Sequence, residues 1–154
     1  MQQARRTFLA SVSRLVLAGV AITAGVLPRG TRAAEARPAF TATTIADALQ
    51  ALAASDARES ADIIFKAPDI AENGAVVPVE IESKLANTRS ITILVEKNPH
   101  VMSGTFNFPE GTEPFVSTRV KVAESTVIHA LVKTDAGVFY TTKMVKVTLG
   151  GCGG

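Results

Sequence analysis

The chain has 154 residues, a formal net charge of +2, one cysteine and few aromatic residues. A single cysteine excludes an internal disulfide, and the absence of a lysine and arginine cluster argues against a nucleic-acid-binding protein. The length fits one domain of ordinary size behind a leader segment.

Residues 1–36 are predicted to be a cleaved export signal. Paired arginines at positions 5 and 6 precede an apolar stretch from about Leu15 to Leu27, and a small residue, Ala36, suits the end of the cleavage site. Adjacent arginines are typical of the bacterial twin-arginine pathway, which predicts a periplasmic protein. A retained membrane anchor is the alternative, but about 13 apolar residues fall short of the roughly 20 that a spanning helix needs. Cleavage after Ala36 leaves a net charge of about −2.

A short amphipathic helix is predicted from about Thr44 to Ser55. Ile45, Leu49 and Leu52 recur at helical spacing, and Thr44 with Asp47 resembles a weak capping box. The apolar stripe is expected to pack on the body of the domain or on a partner protein. Residues 37–43, between the signal and this helix, are expected to form a mobile lead-in.

Strands are predicted for the rest of the domain, which spans residues 37–149. After the turn signal Asn73-Gly74, apolar residues alternate with polar ones, first at Val77, Val79 and Ile81. The further predicted strands cover residues 91–95, 115–122, 126–133 and 138–149. Short strands separated by turns predict an immunoglobulin-like antiparallel β-sandwich. Pro78 suggests that its strand lies at a sheet edge or starts late.

The only thiol lies in a glycine-rich C-terminal arm, residues 150–154. Cys152 is flanked by Gly150, Gly151, Gly153 and Gly154. Glycine runs behave as flexible coil, so packing does not explain this cysteine and reactivity does. A thiol can form conjugates with oxidised sulfur groups and release them by exchange. Cys152 is therefore predicted to be a covalent attachment site for sulfur, although a glycine-rich end is also typical of a simple spacer.

No intrinsic cofactor, metal site or catalytic group is predicted. The two histidines, His100 and His129, lack further ligands at metal-site spacing, and a flexible tail does not hold the preorganised geometry that a Cys-His catalytic pair needs. The glycines do not form a phosphate-binding loop between a strand and a helix. The protein is therefore predicted to be a substrate carrier on which partner enzymes act, and not an enzyme itself.

Three features resemble the SoxY family, the sulfur-carrier subunits of bacterial thiosulfate oxidation. They are the twin-arginine leader, the segment 68–79 (PDIAENGAVVPV) and the terminus 146–154 (KVTLGGCGG). The resemblance implies a periplasmic immunoglobulin-like sandwich that forms a heterodimer with SoxZ. The terminal motif is specific, whereas the leader alone is not.

The resemblance also implies the chemistry and the transient partners. Cys152 would accept thiosulfate through the haem cytochrome SoxAX, the dimanganese hydrolase SoxB would release sulfate, and the molybdenum sulfane dehydrogenase SoxCD would oxidise the remaining sulfur. The cofactors belong to those partners, and this chain would carry only covalently bound sulfur intermediates on Cys152.

Two other functions remain open at the level of sequence. One is a ubiquitin-like sulfur carrier whose terminal Gly153-Gly154 carboxylate becomes a thiocarboxylate, a reaction that needs ATP and fits poorly with export. The other is a non-catalytic interaction module that dimerises through Cys152, as exposed thiols readily do in air.

Overall fold

Two β-sheets form the body of the protein within residues 38–148, the part that the computed structural model describes. The predicted signal, residues 1–36, and the predicted arm, residues 150–154, lie outside the described residues. The helices are α1 (Pro38–Thr41) and α2 (Ile45–Ala51), and a 3₁₀ turn spans Gly74–Val76. The strands are β1 (Arg58–Glu59), β2 (Ile63–Lys66), β3 (Ile70–Ala71), β4 (Val77–Ser83), β5 (Thr88–Val95), β6 (Met102–Asn107), β7 (Phe115–Val120), β8 (Thr126–Thr134) and β9 (Gly137–Val147).

The larger sheet has the strand order β1-β9-β8-β5-β6, with β3 also paired to β9, and the smaller sheet has the order β2-β4-β7. Alternate residues of each strand face the space between the sheets, so that Val79 and Ile81 of β4 and Ile128 and Val132 of β8 belong to one buried cluster. This is the period-two alternation that predicted the strands. The predicted mainly-β, immunoglobulin-like sandwich is confirmed.

The helices cover part of the other face of the larger sheet. Ala39 and Ala48 pack with Leu94 of β5, and Ala54 packs with Leu131 of β8. Small residues on the helical segments let the backbone approach the sheet closely. The described part of the chain therefore has three layers, with the helices over the larger sheet and the smaller sheet beneath it.

Helix α2 begins as its sequence predicts. Thr44 is the N-cap, and its hydroxyl oxygen accepts a hydrogen bond from the backbone N–H of Asp47 at 3.1 Å. The same hydroxyl donates to the Asp47 carboxylate at 2.7 Å, so the cap satisfies one of the free amides of the first turn. Ile45, Leu49 and Leu52 pack against the buried cluster, which confirms that the stripe faces the body of the domain.

The prediction of a mobile lead-in was wrong for its described part. Residues 38–41 form α1, Ala39 is buried, and the Val101 N–H donates to the Ala42 carbonyl at 3.0 Å. Ala39 and Ala42 are small enough to pack closely on the sheet, but they form no apolar stripe at helical spacing in the sequence. Tertiary packing therefore decides the structure of this segment.

Four strands were missing from the sequence-based prediction. β1 and β3 have two residues each, too few to show a period. In β2 the exposed Ile64 hides the alternation, and β6 contains Gly104 among polar residues. β1 and β3 both pair with β9 in parallel, the exceptions to the otherwise antiparallel pairing.

Pro78 lies in the middle strand of the smaller sheet, so the edge position suggested by its sequence was wrong. Its neighbour on one side is Arg119 of β7, whereas β2 reaches only as far as the pair Lys66 and Glu80. Pro78 thus sits beyond the end of β2, where the lack of a proline N–H breaks no ladder hydrogen bond on that side.

Candidate functional site

The end of β9 is the described element closest to the predicted arm. Thr148 is the last described residue, and its N–H donates to the Ala71 carbonyl at 3.1 Å. Two residues earlier the Lys146 N–H donates to the Asp69 carbonyl at 2.9 Å. Both hydrogen bonds come from the β3 side of β9. On its other side β9 pairs with β8 as far as Val145, so the end of β9, here called the root of the arm, is held in the sheet from both sides.

A serine hydroxyl extends this support beyond the last β8 pair. The Val147 N–H donates to the Ser125 side-chain oxygen at 2.9 Å. The Val147 side chain packs against the main buried cluster, in which Val145 is fully buried. Two packed valines and three hydrogen bonds donated by backbone N–H groups therefore fix the strand as far as Thr148, four residues before Cys152.

The segment 68–79 lies directly against this root. Asn73 caps the 3₁₀ turn, since its side-chain oxygen accepts from the Ala75 N–H at 2.9 Å. The Gly74 carbonyl accepts from the Val122 N–H at 2.7 Å. A Cβ at Gly74 would lie 2.4 Å from the Val122 oxygen and 3.0 Å from Val147 Cγ1. Glycine is therefore needed here for close approach, a role beyond the turn signal seen in the sequence.

An ion pair joins the same segment to β9. Lys143 Nζ lies 2.6 Å from Asp69 Oδ1, and the hydrogen bond from Lys143 and its positive charge lower the pKa of Asp69. Both groups are near the surface, so water screens the interaction. Sequence reasoning missed this pair, as it missed Ser125, because the partners are distant along the chain and carry no local pattern.

His129 lies on the outer face of β8, the face toward α2. It lines a cavity of about 270 Å³ between α2 and the larger sheet, together with Leu49 and Tyr140. Its Nε2 atom is buried without a hydrogen-bond partner among the described residues, and Glu96 Oε2 is 4.0 Å away. Burial lowers the pKa of His129, and the charge of Glu96 opposes that shift.

We expect this imidazole to make stability depend on pH. Because the pKa of His129 is lowered from 6.5 in the folded state, the unfolded chain binds the proton more readily, and stability falls as the pH drops below about 6.5. Replacing His129 with Gln should reduce the fall in Tm between pH 7.5 and 5.5, measured by circular dichroism. The exposed His100 offers the matched control, and a His100→Gln variant with the same reduction would contradict the assignment.

The predicted site residues themselves lie outside the described residues. These are Cys152 with Gly150, Gly151, Gly153 and Gly154. Among residues 38–148 no group of three or more His, Asp or Glu side chains is placed to hold a metal ion. In the same range no helix has the length and apolarity to cross a membrane.

The family model described as "Sulfur oxidation protein SoxY" matches residues 49–152. The match covers most of the chain, and its last residue is Cys152. The chain belongs to the SoxY family. The SoxY family is one of sulfur-carrier proteins that take part in sulfur oxidation, and its partners belong in general to the Sox system.

Solved structures agree with this membership. The sulfur carrier protein SoxY from Chlorobium limicola f. thiosulfatophilum is 33% identical to this SoxY-family chain and superposes with a TM-score of 0.63, covering 71% of this chain and 96% of that one. The superoxide reductase (neelaredoxin) from Ignicoccus hospitalis is 22% identical with a TM-score of 0.51, covering 58% of this chain and 82% of that one. The second likeness concerns the fold alone. No curated protein sequence matches the chain.

Proposed function

We propose that this SoxY-family chain binds thiosulfate-derived sulfur covalently on Cys152 and presents it to partner enzymes. The observation that carries the proposal is the family match, which runs to Cys152, the only thiol of the chain. The anchoring of β9 supports it, because a fixed root defines where the thiol can reach. Residues 150–154 then act as the flexible carrier arm.

The loading step is an oxidation. The Cys152 thiol and thiosulfate (S₂O₃²⁻) form a sulfur–sulfur bond to give Cys–S–S–SO₃⁻, with release of one proton and two electrons. An ordinary thiol has a pKa of about 8.5, so a few per cent is thiolate at neutral pH and the partner enzyme must activate it. The electrons pass to the haem cytochrome SoxAX.

Release follows by hydrolysis on a second partner. Water attacks the terminal sulfonate sulfur, the bond between the two outer sulfurs breaks, and Cys–S–SH, sulfate and a proton result. SoxB supplies the dimanganese centre for this step, and SoxCD oxidises the sulfur left on Cys152. The carrier itself contributes the sulfur atom and its delivery, and it brings no cofactor of its own.

The proposal places the mature protein in the periplasm as a heterodimer with SoxZ. The leader, residues 1–36, supports this location through its paired arginines. The twin-arginine route carries folded proteins, so a partner subunit without a signal of its own can leave the cell bound to this chain.

The mass of the intact protein tests these steps together. Protein from the periplasmic fraction of cells growing on thiosulfate should have the mass of a chain that begins after about Ala36, plus sulfur-containing adducts that a reducing agent removes. The same fraction from cells grown without thiosulfate is the control. A mass increase equal to one oxygen replaced by sulfur at the terminal carboxylate would contradict attachment at Cys152. So would an unmodified chain or a simple disulfide dimer.

A further inference from the structure

Apolar side chains are exposed on the outer face of the larger sheet, near the root of the arm. They are Ile70 of β3, Val127 of β8 and Met144 of β9, here called the arm-side patch. Met144 is 54% exposed and Ile70 is 59% exposed, whereas Val127 is half-buried. Val127 and Met144 are register partners across two strands, so their side chains are neighbours on one face.

Ile70 joins the same patch through Lys146. The two residues are register partners in the parallel pairing of β3 with β9, and Lys146 is two residues from Met144 on the same face. Ala71 and Val147, the next pair, face the core instead. The patch therefore lies on the solvent side of the sheet, with the exposed Lys146 between its apolar members.

Among the described residues the helices do not cover this patch. α2 and the residues after it pack on Leu94, Leu131, Val138 and Tyr140, which lie over the central strands and the first half of β9. The second half of β9, where Met144 lies, presents its outer face to solvent. Exposed apolar side chains that are neighbours on one surface are more typical of an interaction site than scattered ones.

The length of the arm determines which proteins must come near the patch. Cys152 is four residues beyond Thr148, so its Cα lies at most about 14 Å from that root. Along β9, Met144 is about 13 Å from Thr148 in the other direction, and Ile70 is closer. An enzyme that takes Cys152 into its cleft must therefore rest against this end of the sandwich.

We infer that the arm-side patch is the docking surface for the enzyme that loads Cys152, an inference that rests on the proposed function. A stable subunit interface buries about 800 Å² on each partner, and two largely exposed apolar side chains supply a small part of that area. A weak contact suits a carrier that must leave one enzyme for the next. Lys146, which has no ion-pair partner among the described residues, favours an enzyme surface that is apolar at its centre and acidic beside it.

The test compares glutamate substitutions at two exposed sites in the complete carrier complex. Met144→Glu combined with Ile70→Glu should raise the KM for the carrier in SoxAX-catalysed, thiosulfate-dependent haem reduction by about tenfold, with little change in kcat. Phe115→Glu is the matched control, because Phe115 is 46% exposed but lies on the smaller sheet. It pairs with Glu82, near the end of β4 that is remote from Gly74, and Gly74 is the residue that packs on Val147.

Further measurements separate the possible outcomes. The rate of Cys152 alkylation by iodoacetamide and the Tm should be unchanged in every variant, and the neutral Met144→Gln should raise KM by a smaller factor. An unchanged KM, an equal rise for Phe115→Glu, or loss of SoxZ from the complex on gel filtration would each overturn the inference.

If the unaltered carrier forms no adduct on Cys152, the proposed function fails and this inference fails with it. If the unaltered carrier forms the adduct and the patch variants have the same KM as the unaltered carrier, the proposed function stands and the docking surface is wrong.

Discussion

Replacing Cys152 with serine is expected to reduce thiosulfate-dependent haem reduction to the background rate. Cys152 is the only thiol in the chain, and a serine hydroxyl does not form the sulfur–sulfur bond on which loading depends. The measurement is cytochrome reduction in a mixture of the carrier complex with SoxAX and thiosulfate. The adduct should disappear from the intact mass at the same time.

The serine variant should keep its fold and its partner subunit. Cys152 is flanked only by glycines and serine differs from it by one atom, so the Tm and the elution volume of the heterodimer are expected to match those of the unaltered protein. Alkylation of the unaltered protein with iodoacetamide should cause the same loss of activity by a different route. Sustained haem reduction by Cys152→Ser would rule out the carrier role of this residue and favour a plain interaction module.

Replacing Gly74 with alanine is expected to give the largest loss of stability from a single methyl group. The new Cβ would lie 2.4 Å from the Val122 carbonyl oxygen and 3.0 Å from Val147 Cγ1, so the backbone must shift. The shift strains the bond between the Val122 N–H and the Gly74 carbonyl, which measures 2.7 Å. Overpacking of this kind costs about 1–3 kcal/mol, which should lower Tm by about 5–15 °C.

Gly104→Ala is the matched control for this effect. Its Cβ would meet only Phe106 Cε2 at 3.9 Å, an ordinary contact, so the Tm should change by no more than about 2 °C. Thermal melts of both variants, followed by circular dichroism, measure the two changes in Tm. Equal changes in Tm would show that the contact with Val122 and Val147 is not what requires glycine at position 74.

Local patterns predicted the elements that have enough residues to show them. The alternation of Val77, Val79 and Ile81 predicted β4, and Thr44 with Asp47 predicted the start of α2. In both cases each residue's preference agrees with its place in the fold. Elements of two residues, such as β3, have no period, and α1 is held by packing of Ala39 that no local pattern reveals.

The support of the arm could not be predicted from sequence for a related reason. Asp69 and Lys143, and likewise Ser125 and Val147, become neighbours only when β9 takes its place between β3 and β8. The terminal motif did predict Cys152 as the attachment site, and this remains a prediction because the residue lies outside the described range. The sequence therefore indicated the chemistry at Cys152, and the structure shows how the end of β9, four residues before it, is held in the sheet.

The pairing of β9 along β8 has a mechanical consequence. The ladder hydrogen bonds run perpendicular to the strands, and β8 accompanies β9 from Gly137 to Val145. A pull on Cys152 along the strand axis would load these hydrogen bonds in shear, and the load would be shared among them. Peeling would instead break them one at a time. A partner that pulled Cys152 along this axis would therefore leave β9 in its sheet.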